Sequence, residues 1–170
     1  MLTLARSTDT EQGALAFGLA RDDRIAAAWL LEGEGALLLV RRKMHGYLTF
    51  QPRVSVKMTS LGALRCFSRW TGRPITSHKM PNPKHQPQWE VTLYGQATAP
   101  FLRQVRPFFP EGGKGEQADI LIAACELLRA TGGHRRNGSH GRIPLPTDVL
   151  TTLENYAERL RVLYGCRRPC

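Results

Sequence analysis

Apolar and polar positions along this chain switch repeatedly between a helical period and a period of two. Ile25-Ala26-Ala27-Ala28-Trp29-Leu30-Leu31 is apolar almost all round, which predicts a buried helix. Asp22 or Asp23 is placed to cap it, with the helix beginning near Arg24. It stops at Glu32-Gly33-Glu34-Gly35, whose glycines permit a sharp turn. A strand is expected next, from Ala36 to Lys43, and His45-Gly46 is a turn signal. In the following strand Val54, Val56 and Met58 alternate with Gln51, Arg53, Ser55 and Lys57, the mark of a sheet covered on one side. Pro52 interrupts that ladder and points to an edge or a bulge. Residues 60–70 read as a helix, with Leu61, Leu64 and Phe67 opposite Arg65 and Arg69. A second hairpin follows, with arms at Ile75–Met80 and Gln88–Tyr94 around a proline-rich basic loop. Residues 97–109 form a short helix ending in Phe108-Phe109-Pro110, and Glu116–Ala130 an apolar one. A basic loop, Gly132–Arg142, leads to Pro144-Leu145-Pro146. There Thr147 or Asp148 caps a last amphipathic helix reaching Leu163. No short-period repeat is present.

The order helix, hairpin, helix, hairpin, helix, helix is an α+β arrangement, and 170 residues suit one domain with a short appendage. Charge narrows the function. Lys and Arg number 24 against 14 Asp and Glu, a net charge of +10, which favours a polyanionic partner. A membrane is the weaker choice, because no apolar run reaches the roughly 18 residues that spanning requires, and the N-terminus, with Asp9 and Glu11, does not read as a signal peptide. Cys66 and Cys125 lie in apolar stretches and read as small core residues. Cys166 and Cys170 form no CxxC pair and have no nearby histidine. That usage fits a reducing compartment: a cytoplasm of bacterial or phage type, or an organelle. His134 and His140 fall in the glycine-rich basic loop and read as solvated rather than metal-binding.

Glu32 and Glu34 put two carboxylates at the negative end of a helix dipole. Two readings follow. Either both are solvated loop residues, or a divalent cation joins them, oxygen ligands being suited to Mg²⁺.

The wider context bears on that choice. Ala27-Ala28-Trp29-Leu30-Leu31-Glu32-Gly33-Glu34-Gly35 resembles the nine-residue motif of the LAGLIDADG homing endonucleases in a Glu-Gly-Glu-Gly form. A basic hairpin and Val56-Lys57-Met58-Thr59 leading into a helix follow it, as in that family. Phe101-Leu102, Val105-Arg106-Pro107-Phe108-Phe109 and then Lys114 with Gln117-Ala118 resemble the family's helix, turn and K-x-x-Q-A signature. Pro144-Leu145-Pro146 with its helix is also similar, and the resemblance spans residues 22–165. One departure stands out: Trp29 occupies a position where the family carries a small glycine, either as a core aromatic or at the helix contact.

The resemblance implies an αββαββα fold whose antiparallel sheet forms a DNA-binding saddle, plus C-terminal helices. It divides the chain into an N-terminal extension (1–20), a LAGLIDADG-type core (21–131) and an appended basic loop and C-terminal helix (132–170). It implies a site-specific endonuclease that makes a double-strand break with Mg²⁺ or Mn²⁺. Glu34 would hold the metal, with Gly33 beside it. Lys57, Lys114 and Gln117 join Glu34 as catalytic candidates. One motif supplies half a site, so two chains pair on a pseudo-palindromic target, with Ala27, Ala28, Leu31 and Glu32 at the dimer interface. A two-stranded ribbon fits the major groove. The DNA-binding candidates are Arg41, Lys43, Tyr47, Thr49, Gln51 and Arg53 on the first hairpin, and Thr76, His78, Lys84, Gln86, Gln88 and Glu90 on the second.

Two other readings compete. One is a non-cleaving nucleic-acid binder of the same fold, an RNA maturase-like splicing factor or a DNA-binding regulator. Glu34 and Lys114 argue against it. The other is a small basic RNA-binding domain, which would use exposed aromatics for base stacking. Aromatics are 8% of the chain and most take the apolar parity of their element, with Tyr47 and Tyr94 as exceptions. The target sequence and the host element, such as an intron, are not legible.

Overall fold

Two hairpins lie side by side and share one sheet. In the computed structural model the strands run in the order β1 (Gly35–Met44), β2 (Tyr47–Met58), β4 (Gln88–Tyr94), β3 (Ile75–His78), every neighbouring pair antiparallel. The helices are α1 (Arg21–Glu34), α2 (Leu61–Thr71), α3 (Thr98–Val105), α4 (Gly113–Ala130) and α5 (Thr147–Gly165). A short pair, β5 (Arg136–Asn137) and β6 (Gly141–Arg142), lies between α4 and α5. The structure describes residues 17–44, 46–78, 86–131, 136–137, 141–142 and 144–165. The expectations for Lys84, His134, His140, Cys166 and Cys170 fall outside them. From α1 to α4 the order is the one that the periodicity predicts, while the short β5–β6 pair falls in the segment expected to be only a basic loop.

The alternation of β2 is read out by its two neighbours. Val54 stands opposite Leu37 and Leu93, and Val56 opposite Gly35 and Val91, and all of these are buried on one face. Helices cover that face with Ala27, Ala28 and Leu31 from α1, Leu64 and Phe67 from α2, and Phe101 and Leu102 from α3. Leu121 from α4 and Val149, Leu153 and Leu160 from α5 complete the core. Phe101 is fully buried and meets Phe17 and Phe67 edge-on, with ring centroids 5.5 and 5.7 Å away. Phe17 and Leu19 are thus packed into the core ahead of α1. Pro52 pairs with Leu39 of β1, but β4 pairing begins only at Arg53 opposite Tyr94. The proline therefore sits where β2 has a partner on one side, which is where a missing N–H is tolerated.

Three local expectations are corrected. The first helix begins at Arg21, with Ala20 before it and no side-chain cap; Asp22 and Asp23 lie inside its first turn, where carboxylates meet the positive end of the dipole. This helix is not buried all round either. Ala27, Ala28 and Leu31 face the core, while Trp29 is 62% exposed, so it is no core aromatic. The helix expected at 97–109 is broken into 3₁₀ turns at Gly95–Ala97 and Arg106–Phe108 around the eight-residue α3, Pro107 being compatible only with a helix start. Cys125 is buried as expected, and loss of hydration pushes its thiol up to about 12. Cys66 is half-buried.

Truncating Phe101→Ala should destabilise the chain by about 3–5 kcal/mol, the range for a buried aromatic that leaves a cavity. Urea unfolding followed by fluorescence measures it, and a loss below about 1 kcal/mol would contradict this account of the core.

Candidate active site and nucleic-acid face

Helix α1 runs into β1 without a loop. Its last residue is Glu34, and Gly35 already pairs with Val56. The Gly35 N–H donates to the Leu31 carbonyl, which closes the helix. A Cβ at Gly35 would lie 2.6 Å from that carbonyl oxygen and 2.7 Å from Leu31 Cα, so no larger residue fits without moving backbone. The turn aims Glu34 outward, exposed at the mouth of a cleft of about 800 Å³. Glu32, Gly33, Ala36, Ser55, Lys57, Glu90, Lys114 and Tyr164 complete its wall.

Lys114 reaches this cleft from the opposite side. It stands in the first turn of α4 and is 3% exposed. Gly115 beside it is covered by Arg106, whose guanidinium a Cβ would approach to 3.1 Å. Arg106 in turn donates from Nε and Nη2 to the two oxygens of Asp119, at 2.7 and 2.8 Å, and that carboxylate raises its pKa. The Lys114 ammonium donates to the Gly35 carbonyl oxygen and lies 5.9 Å from the centre of the Tyr164 ring. A buried cation requires such partners. Lys57 is exposed in β2, opposite Glu90. The structure therefore brings Glu34, Gly33, Lys57 and Lys114 together. It does not bring Gln117. That side chain is fully buried and does not line the cleft, and neither of its amide atoms has a hydrogen-bond partner among the described residues. With no exposed surface it cannot touch a substrate.

The same cleft opens onto the sheet's second face. The β1–β2 register puts Ala36, Leu38, Val40 and Arg42 opposite Ser55, Arg53, Gln51 and Thr49. The β2–β4 register continues that face through Thr92, Tyr94 and Glu90. Tyr47, Thr49, Gln51, Arg53, Thr76, Gln88 and Glu90 fall on it as expected. Tyr47 and Tyr94, the two aromatics off the apolar parity, are 44% and 49% exposed there. His78 pairs with Gln88 at the end of β3, and Gln86 is exposed just before β4.

Two expected members are on the wrong side. Arg41 stands opposite the core residue Phe50 and pairs at 3.2 Å with Glu154 of α5; Lys43 shares its parity, opposite Leu48. The cause is that three consecutive cations, Arg41-Arg42-Lys43, carry no alternation, so pattern alone cannot tell which one faces outward. Counting by twos from Leu37 would have chosen Arg42. Thr92 on this face and Tyr164 in the cleft were not among the candidates, the latter because nothing in sequence places the end of α5 beside Lys114.

Among the expected interface residues, Ala27, Ala28 and Leu31 have no exposed surface and cannot meet another chain. The outer face of α1 carries Ala26, Trp29 and Gly33, with Glu32 half-buried at its border.

No family model matches the chain, and no curated protein matches it. Solved structures do. The homing endonuclease I-CvuI, in complex with target DNA and in the presence of Mg, superposes with a TM-score of 0.62 at 14% identity, over 86% of this chain and 85% of that one. An archaeal intron-encoded homing endonuclease complexed with DNA gives 0.63 at 16%, over 84% of each chain. The LAGLIDADG homing endonuclease I-GzeII, also with its DNA target, gives 0.57 at 8%, over 81% of this chain and 43% of that one. The chain has the LAGLIDADG homing endonuclease fold. Within it, the helix ending at Glu34 leads directly into the edge strand of the four-stranded antiparallel sheet. The αββαββα order with added C-terminal helices is present as the sequence predicts.

The strength of the turn is testable without any substrate. Gly35→Ala should lower stability by about 1–3 kcal/mol, the usual cost of forcing a methyl into packed structure. Thermal unfolding compared with Gly33→Ala, where a Cβ meets nothing within 4 Å, isolates the effect; equal melting temperatures would refute it.

Proposed function

We propose that this chain is a site-specific DNA endonuclease of the LAGLIDADG family, acting as a homodimer on a pseudo-palindromic duplex. One observation carries the reading: Glu34, Lys57 and Lys114 come from three separate elements and line one cleft, where the motif helix meets the exposed face of the sheet. The net charge of +10 suits a duplex backbone.

The donor set fits a hard divalent cation. Glu34 offers exposed carboxylate oxygens where the helix dipole is negative, with Gly33 beside it. Mg²⁺ or Mn²⁺ held there would stabilise the attacking and leaving oxygens of phosphodiester hydrolysis. Among the described residues no three acidic, histidine or cysteine side chains converge on one point. The remaining donors would thus come from the phosphate, from water and from the second chain's Glu34. Lys57, exposed in the cleft, would face charge developing on the scissile phosphate. Lys114 holds the Gly35 carbonyl, so its first role is to fix the turn that presents Glu34. Gln117 belongs to the packing under that helix.

In this reading two α1 helices cross through Ala26, Trp29 and Gly33. Trp29 favours a second reading, a binder of the same fold that does not cut, because an indole at the crossing holds the two motif ends apart. The two readings part on one comparison. A randomised duplex library is incubated with wild type and with Glu34→Gln, with and without Mg²⁺. An endonuclease yields Mg²⁺-dependent cut ends only with wild type, while both proteins retain the same duplexes. A wild type that retains DNA but leaves it intact supports the binder.

The face assignment has its own test. Arg42→Ala should weaken DNA binding uniformly across sequences and reduce the salt dependence by about one released ion. Arg41→Ala, on the opposite face where it pairs with Glu154, should change both much less. Filter binding across a salt series distinguishes them, and the reverse order would put the wrong face on DNA.

A further inference from the structure

The exposed face of the sheet is not uniformly polar. On β1 its first residues after the motif are Ala36, Leu38 and Val40, each half-buried, and the first cation is Arg42. Beside them on β2, Ser55 is buried and Arg53 is paired with Glu90. By register, Arg53 stands opposite Tyr94 and Glu90 opposite Lys57, so the pair reaches along the strand past Ser55 and Thr92. The guanidinium nearest the cleft is thereby engaged within the chain. Further out, the rows are Val40 with Gln51 and Arg42 with Thr49, ending near the exposed Tyr47.

We infer that Leu38 and Val40 read thymine methyl groups, so that each half-site carries A·T pairs close to the cut and hydrogen-bonded specificity begins only at the row of Gln51 and continues outward. This rests on the DNA reading above. Gly35 directly follows Glu34, so Ala36 to Val40 lie over the base pairs adjacent to the cleaved bond. At about 3.4 Å per residue they span about four base pairs of rise. Aliphatic side chains offer no donor or acceptor. Facing guanine O6 and N7, or the cytosine amino group, they would leave those edges desolvated and unpaired, whereas the thymine C5-methyl is their natural contact in the major groove.

The probe is DNA that differs by methyl groups alone, and the protein is the unaltered full chain. Duplexes retained from a random library in the absence of Mg²⁺ define the site. Thymines in it are then replaced one at a time by deoxyuridine. Each replacement near the centre of the site should weaken binding about fourfold, the value of one buried methyl, and replacements at the outer positions should have no effect. Leu38→Gln, at a half-buried edge-strand position, should abolish the sensitivity at its own step while leaving the outer preferences intact. Central G·C pairs in the retained sequences, or deoxyuridine tolerated at the centre, would overturn the inference and leave DNA recognition standing. A library from which no sequence is enriched would overturn sequence-specific recognition itself, and this inference with it.

Discussion

One buried cation holds the site together. The Lys114 ammonium donates to the Gly35 carbonyl at the point where α1 ends and β1 begins, and Tyr164 of α5 lies over it. Every other carbonyl near that helix end adds to the negative pole of the dipole. An almost fully buried lysine there offsets that pole and links α4 and α5 to the turn. Gly35 is the complementary constraint, because no side chain fits between its Cα and Leu31. The position of Glu34 thus follows from two contacts on its neighbour rather than from anything Glu34 itself touches.

The sheet shows how the charge is partitioned. Arg53 and Glu90 neutralise each other close to the cleft, and Arg41 is drawn to Glu154 on the helix side. Among the described residues of the sheet's second face, Arg42 and Lys57 are exposed. Among the described residues, part of the cationic surplus behind the net charge of +10 is thus engaged in ion pairs within the chain. Affinity for a duplex depends on which cations reach phosphate, not on the sum.

Much of this was legible in sequence because β2 alternates cleanly from Arg53 to Met58. One well-patterned strand fixes the faces of both neighbours once the pairing is known. The motif likewise located the cleft, since Glu34, Lys57 and Lys114 converge there. What failed had no alternation to read. Arg41-Arg42-Lys43 is uniform in charge, and Ile25 to Leu31 is uniform in hydrophobicity. The first hid which cation faces outward. The second hid which side of α1 is buried, so that Ala27, Ala28 and Leu31 were assigned to a partner when they belong to the chain's own core. Gln117 failed differently: the signature gives its place on α4 but not its depth.

Trp29 is where these threads meet. Its indole is 62% exposed on a helix whose opposite side is packed to zero exposure at Ala27, Ala28 and Leu31, so α1 cannot rotate to hide it. A large apolar surface fixed in water is unfavourable, and the small residues around it, Ala26 and Gly33, leave room for a partner's side chain to lie alongside. In the proposed dimer the indoles would pass each other across the twofold axis rather than meet tip to tip. Interaxial distance would then be set by indole against Ala26 and Gly33 instead of by backbone against backbone. Because Glu34 lies within two turns of that crossing, any increase in helix spacing passes to the separation of the two carboxylates, so the fit of a shared cation and the burial of Trp29 depend on the same distance.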